Sequence, residues 1–147
     1  MYGFISAVLA DKGRHVYTAS PRATVQQAVR EMNEKGIGAL LVVEHDDPLG
    51  IFTERDVLRR VVDAGLDPRT TILDTVMTRE LIVVEPTTTV QQAMAMMTRQ
   101  RCRHLPVVEG GQVVAMVSIG DLTRWVSLNQ EVEIQHLVDY ITGRHPA

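Results

Sequence analysis

"TVQQAV" at residues 24–29 returns as "TVQQAM" at residues 89–94. The two stretches lie 65 residues apart, and the same offset, without a gap, pairs Pro21 with Pro86, Met32 with Met97 and Leu40 with Leu105. "VVE" at 42–44 falls on "VVE" at 107–109, Asp56 on Asp121, Arg59 on Arg124 and Val61 on Val126. About a third of the positions between 21 and 61 are identical to their counterparts. A match that keeps register over this length marks an internal duplication. Two copies are too few for a solenoid, so the pair is expected to close on itself, each copy burying the other's open face.

Both copies read in the same order. A β-branched stretch comes first, "VYT" at 16–18 and "LIVV" at 81–84. Thr24–Gln27 and Thr89–Gln92 then form capping boxes, Thr at N-cap and Gln three residues on. Behind them Val25, Ala28, Val29 and Met32, and Val90, Ala93, Met94 and Met97, recur with helical spacing. Two strands follow, "ALLVVE" and "LGIFT" around His45–Pro48, then "HLPVVE" and "QVVAMVS" around Gly110-Gly111, a strong hairpin signal. A last helix carries Val57, Leu58, Val61 and Val62 and ends at Gly65; its partner carries Leu122, Trp125 and Val126. A leading helix precedes each unit, with Phe4, Ile5, Val8 and Leu9 spaced as Ile72, Leu73, Val76 and Met77.

The expected layout is a first repeat with its leading helix over 4–64, a polar connector over 65–71, and a second repeat with its leading helix over 72–128. A separate amphipathic helix is expected over 130–143, with Ile134, Leu137, Val138 and Ile141 on one face. The fold class is α+β, small mixed sheets flanked by helices, in two β-α-β-β-α units.

Composition narrows the function. The 147 residues are 45% hydrophobic but only 4% aromatic, an aliphatic core large enough to need no staples. A net charge of −3 is ordinary for a globular protein and argues against duplex DNA as partner. One cysteine, Cys102, excludes a disulfide framework and a zinc cluster. No apolar run is long enough to span a membrane, and "MYGFISAVLADKG" has no secretory pattern, so a cytoplasmic location is expected. No Gly-rich phosphate loop, nucleophile elbow or Cys-x-x-Cys is present, nor any base–nucleophile pair, so no enzyme is expected.

The chemistry concentrates in "GIFTERD" at 50–56 and "AMVSIGD" at 115–121. Thr53 and Ser118 each close a strand and open a helix, where free N–H groups and the helix dipole attract anions. A hydroxyl there can donate to phosphate. The acid three residues on, Asp56 or Asp121, only accepts hydrogen bonds when ionised, so a ribose diol is its natural partner. Together they suit a nucleotide. The same Ser/Thr-x-x-acid spacing is also a capping box, and one residue can serve both ends. Gly50 fits a place where backbone comes close to something. In "RQRCRH" at 99–104, Arg103 and His104 are candidates to neutralise phosphate, whereas Arg101 reads as solvated. Arg55, Arg59 and Arg60 read as coating the exposed face of their helix, Arg55 within reach of a phosphate. Cys102 reads as a small buried hydrophobe.

Paired strand-helix-strand-strand-helix units that end in Gly-apolar-x-Thr/Ser-x-x-Asp resemble a tandem of CBS (cystathionine β-synthase) domains, a likeness covering about residues 4–128. The resemblance implies two repeats packed by pseudo-two-fold symmetry, with two clefts that take adenosine nucleotides such as AMP, ADP or ATP, or NAD or S-adenosylmethionine. It implies ribose hydroxyls on Asp56 and Asp121 and phosphate at Thr53 and Ser118. Gly38 and Ala39 would line the clefts in one copy, Arg103 and His104 in the other. It further implies a homodimer, a flat disc of four repeats. The second copy departs from the signature, with Ala115 for Gly50 and Gly120 for Arg55. Ala115 is expected to hinder close approach, so the first cleft is the expected main site.

These readings converge on a stand-alone regulatory sensor that needs no cofactor, takes an adenine nucleotide as its regulatory ligand and signals to an effector protein. The alternative is a ligand-free interaction module that dimerises through the apolar faces of 54–62, 119–128 and 134–141. A third reading, an enzyme or nucleic-acid binder using 99–104, has least support.

Overall fold

The computed structural model describes residues 3–143, the side chains of Val132 and Glu133 excepted. In chain order the elements are α1 (Ile5–Lys12), β1 (Thr18–Ala19), α2 (Val25–Lys35), β2 (Ala39–Glu44) and β3 (Asp47–Thr53). A single α-turn, α3 (Glu54–Asp56), then runs into a π-wound segment, Val57–Val62. The second half holds α4 (Leu73–Val76), α5 (Val90–Gln100), β4 (His104–Glu109), β5 (Gln112–Ser118) and α6 (Ile119–Thr142). The result is α+β, with one sheet ordered β1-β2-β3 and a second of β4-β5.

The duplication is visible bond by bond. Thr24 and Thr89 cap α2 and α5, and Gln27 and Gln92 return the bond to the cap amide, as the sequence predicts. Both hairpins turn through two left-handed residues, His45-Asp46 in one and Gly110-Gly111 in the other. Both ladders slip at the same place, between Val42 and Val43 and between Val107 and Val108.

Each half has its own core, but the leading helices exchange partners. Ile5, Val8 and Leu9 of α1 are buried with Val90, Leu105, Val117 and Leu122 of the second half. Leu73 and Val76 of α4, with Met77, are buried with Val25, Leu40, Phe52 and Val61 of the first. The backbone follows the same crossing, for Ile5 N–H donates to the Thr88 carbonyl and Leu73 N–H to the Ala23 carbonyl. At about 0.8 kcal/mol per buried CH₂, these crossed side chains stabilise one closed unit rather than two independent repeats.

Three elements differ from expectation. "LIVV" at 81–84 is not a strand; only a Val84–Val107 bridge forms. In the first copy Leu41 N–H donates to the Tyr17 carbonyl, and at the matching place Pro106 has no N–H to donate to Ile82. The helix after Ser118 does not stop near 128. It continues as the 24-residue α6, about 36 Å long, because "SLNQE" holds no Gly or Pro to end it. The first-copy counterpart does not wind as an ordinary α-helix: beyond Asp56 it widens, with Asp63 N–H on the Leu58 carbonyl, five residues back.

Candidate functional site: two clefts across the repeat boundary

Where the halves meet, two clefts open, one of about 520 Å³ and one of about 410 Å³. Each joins the strand–helix junction of one repeat to the start of the opposite hairpin's first strand. The first combines Thr53, Arg55 and Asp56 with Arg103 and His104. The second combines Ser118 and Asp121 with Gly38, Ala39 and again His104. All nine sequence-predicted positions therefore line one cleft or the other.

The two junctions are built alike. Glu54 N–H donates to the Gly38 carbonyl at 3.1 Å, and Ile119 N–H to the Arg103 carbonyl at 2.9 Å. Thr53 Oγ1 accepts from Asp56 N–H at 3.3 Å, and Ser118 Oγ from Asp121 N–H at 3.1 Å. The carboxylates answer, accepting from Thr53 N–H at 3.0 Å and Ser118 N–H at 2.8 Å. Both motifs are therefore complete capping boxes.

What remains of each carboxylate differs. Asp56 is 5% exposed, and both of its oxygens are engaged. Oδ1 accepts from the Thr78 hydroxyl at 3.0 Å and lies 3.4 Å from Arg60 Nε. Arg60 also donates to the Met77 carbonyl while its side chain stays half exposed, as the sequence leads one to expect. In Asp121, Oδ2 takes Ser118 N–H and the Lys12 ammonium at 2.7 Å, while Oδ1 has only Arg124 at 3.8 Å. Burial pushes the Asp121 carboxyl up, but Lys12 and the Ser118 amide and hydroxyl outweigh it and hold the pKa below the ordinary value. Asp121 is thus an ionised carboxylate that lines the second cleft, with Oδ1 making no hydrogen bond among the described residues.

Gly50 is explained, though not by a ligand. A Cβ there would stand 2.5 Å from the Thr78 carbonyl oxygen. Thr78 and Ile51 exchange both backbone bonds at 2.9 Å, so the close approach is spent inside the protein. Ala115 is fully buried in its own core and obstructs nothing in the second cleft. The expectation that Gly50 favours the first cleft is therefore corrected.

The remaining side chains set the charge of each cleft. The first is rich in guanidinium: Arg59, Arg101 and Arg103 line it, and their guanidinium groups have no carboxylate or hydrogen-bond partner among the described residues. Arg101, expected to be merely solvated, belongs to this wall, and its carbonyl accepts from Arg55. Cys102 packs on the second core and also faces this cleft; burial pushes its thiol up, so it is no activated nucleophile. Lys12, His15 and Tyr17 line the second cleft, Thr78, Glu80 and Leu81 the first. Sequence reading missed these six. They all end or follow a leading helix, and the signal that finds them is the crossing of those helices. Among the described residues no cluster of His, Cys, Asp or Glu could hold a metal ion, and no helix is long and apolar enough to cross a membrane.

A duplicated unit, β-α-β-β-α in the first copy and reduced to a single bridge at its first strand in the second, closed across two clefts that each carry a hydroxyl–carboxylate cap, defines a CBS-domain pair. The CBS domain family matches residues 11–63 and 73–128, and the chain belongs to that family. It is similar to the mitochondrial CBS domain-containing protein CBSX3 of Arabidopsis thaliana, 39% identical over 95% of this chain and 72% of that protein. Among solved structures it resembles a CBS-domain protein of Burkholderia ambifaria MC40-6, 42% identical, TM-score 0.83, covering 86% of this chain and 96% of that one. It also resembles a hexameric CBS-CP12 protein from bloom-forming cyanobacteria, 30% identical, TM-score 0.74, covering 84% and 71%.

Proposed function

We propose that this chain is a regulatory module that binds an adenosine nucleotide (AMP, ADP or ATP) between its repeats and passes the bound state to a partner protein. The observation that carries this reading is Asp121. It is ionised, lines the second cleft with Oδ1 free of hydrogen bonds among the described residues, and stands at the N-terminus of a 24-residue helix. That oxygen can accept from a ribose diol. The Ser118 hydroxyl, the α6 N-terminus and the cations Lys12 and Arg124 favour phosphate. Gly120 leaves no side chain over the α6 N-terminus, where Arg55 stands in the first copy. The second cleft is the primary site in this proposal. The first, with its carboxylate engaged, relies on arginines.

A ligand shifts only an equilibrium in which it binds one state better. The crossed leading helices supply such an element, for Lys12 of α1 holds both Asp121 and the Met116 carbonyl. A ligand that engages Asp121 acts on that contact and so on the packing between halves. No cofactor is required, and no catalytic step belongs to the proposal. A cytoplasmic location is kept as part of it, resting on the single cysteine.

A second reading has its own observation. Leu58 and Val62 are exposed on the π-wound segment, and Ile134, Leu137, Val138 and Ile141 on the end of α6. These faces suit a homodimer with no ligand at all. Thermal unfolding with a panel of AMP, ADP, ATP, NAD and S-adenosylmethionine separates the two. At about a hundred times Kd, one-site binding adds about 2.7 kcal/mol of stability. A melting temperature unmoved by any of them at millimolar concentration contradicts the sensor and leaves the interaction module.

A further inference from the structure

His104 is the one residue lining both clefts that the structure describes. It opens β4, with Ser118 as its partner across the ladder. Its ring lies against Gly38, where a Cβ would stand 3.2 Å from Cε1. The duplication does not repeat it, for the counterpart of His104 is Ala39. The boundary between the clefts is therefore asymmetric: the His104 imidazole stands on it facing both clefts, and the Glu54 carboxylate of the first cleft also lies against Gly38. Neither ring nitrogen has a hydrogen-bond partner among the described residues.

The charges around the ring come from four places: Glu54 of α3, Asp121 of α6, Lys12 of α1 and the adjacent Arg103. Burial lowers the pKa most, and Lys12 and Arg103 lower it further against the opposing pull of Glu54 and Asp121. At neutral pH the ring is therefore uncharged. A neutral imidazole has a single N–H to donate; its other nitrogen is an acceptor and repels a phosphate oxygen.

We propose that His104 couples the two clefts, serving an anionic ligand in one at a time, so that filling either cleft weakens binding in the other. The inference rests on the nucleotide reading and adds regulation to it. Reciprocity follows: whatever factor the second cleft imposes on the first, the first imposes on the second.

The exposed, duplicated pair Arg59 and Arg124 allows each cleft to be weakened separately, one lining each. ATP is titrated calorimetrically into the wild type, R124E, H104A and the double variant H104A/R124E. In the wild type, the first cleft binds while the second is already full. In R124E it binds while the second is empty, and its affinity is expected to rise about fivefold or more. In the H104A background that difference is expected to vanish. Equal first-cleft affinity in the wild type and R124E overturns the coupling, as does a difference that survives H104A. Binding without coupling leaves the nucleotide reading standing, whereas no ATP binding in any form overturns both.

Discussion

The two clefts descend from one duplicated motif and use it differently. In the first, Thr53–Asp56 is a strut: the carboxylate is nearly buried and holds Thr53, Thr78 and Arg60 together. In the second, Ser118–Asp121 is less committed: Oδ2 holds Lys12 and the Ser118 amide, and Oδ1 makes no hydrogen bond among the described residues. The cause lies in the crossed helices. The chain leaves α4 at Val76, so Met77-Thr78 runs extended and bridges Ile51, which brings the Thr78 hydroxyl onto Asp56. α1 continues to Lys12, and a flexible ammonium reaches Asp121 instead. The helices behind the caps diverge too, a π-wound segment against 24 residues of α-helix. The same four-residue motif thus ties the structure together in one copy and is left available in the other.

This contrast can be broken by substitution. Asp56→Ala strands the Thr53 amide and the Thr78 hydroxyl and removes the Arg60 ion pair, and is expected to cost about 3 kcal/mol in denaturant unfolding. Asp121→Ala, in a more open site, is expected to cost about 1 kcal/mol. Equal losses would mean that both acids are struts. Gly50→Ala drives a methyl into the Thr78 carbonyl and should cost about 2 kcal/mol, with no direct contact to any ligand. Thr78→Val removes one hydroxyl from Asp56 and should cost about 1 kcal/mol, with nucleotide affinity in the second cleft unchanged.

Acid gives the smallest effect. The folded-state pKa of His104 lies below its unfolded value of about 6.5, so the unfolded chain takes the proton first. Stability is full above that pH and falls as pH drops through it. Asp121, also depressed, adds a further loss as pH falls below about 3.9. Melting temperatures from pH 8 to 5 should decline more steeply for the wild type than for H104A. Parallel curves would show that burial of His104 has no cost.

The duplication was legible because identity and helical spacing both survive in register, and the capping boxes and hairpins followed from local chemistry at Thr24, Thr89 and Gly110-Gly111. The lost strand at 81–84 was also legible in principle, since Pro106 replaces Leu41. The exchange of leading helices was not. Spacing at Ile5, Val8 and Leu9 shows which face is apolar, but nothing local says which core receives it. Lys12, Thr78 and His15 enter the clefts only through that exchange, so they escaped a reading made along the chain. Gly50 misled for a related reason: a glycine marks a close approach without naming what approaches. The continuity of α6 past residue 128 turned on the absence of a breaker, a weaker signal than the periodicity on either side.

The central claim is that Asp121 is the ribose handle and the second cleft the primary nucleotide site. The most direct test is the Kd of AMP for Asp121→Asn, beside its melting temperature. The account predicts a Kd at least about tenfold weaker, or about 1.4 kcal/mol, in a protein that melts within a few degrees of the wild type. AMP binding unchanged in a folded Asp121→Asn protein would contradict it.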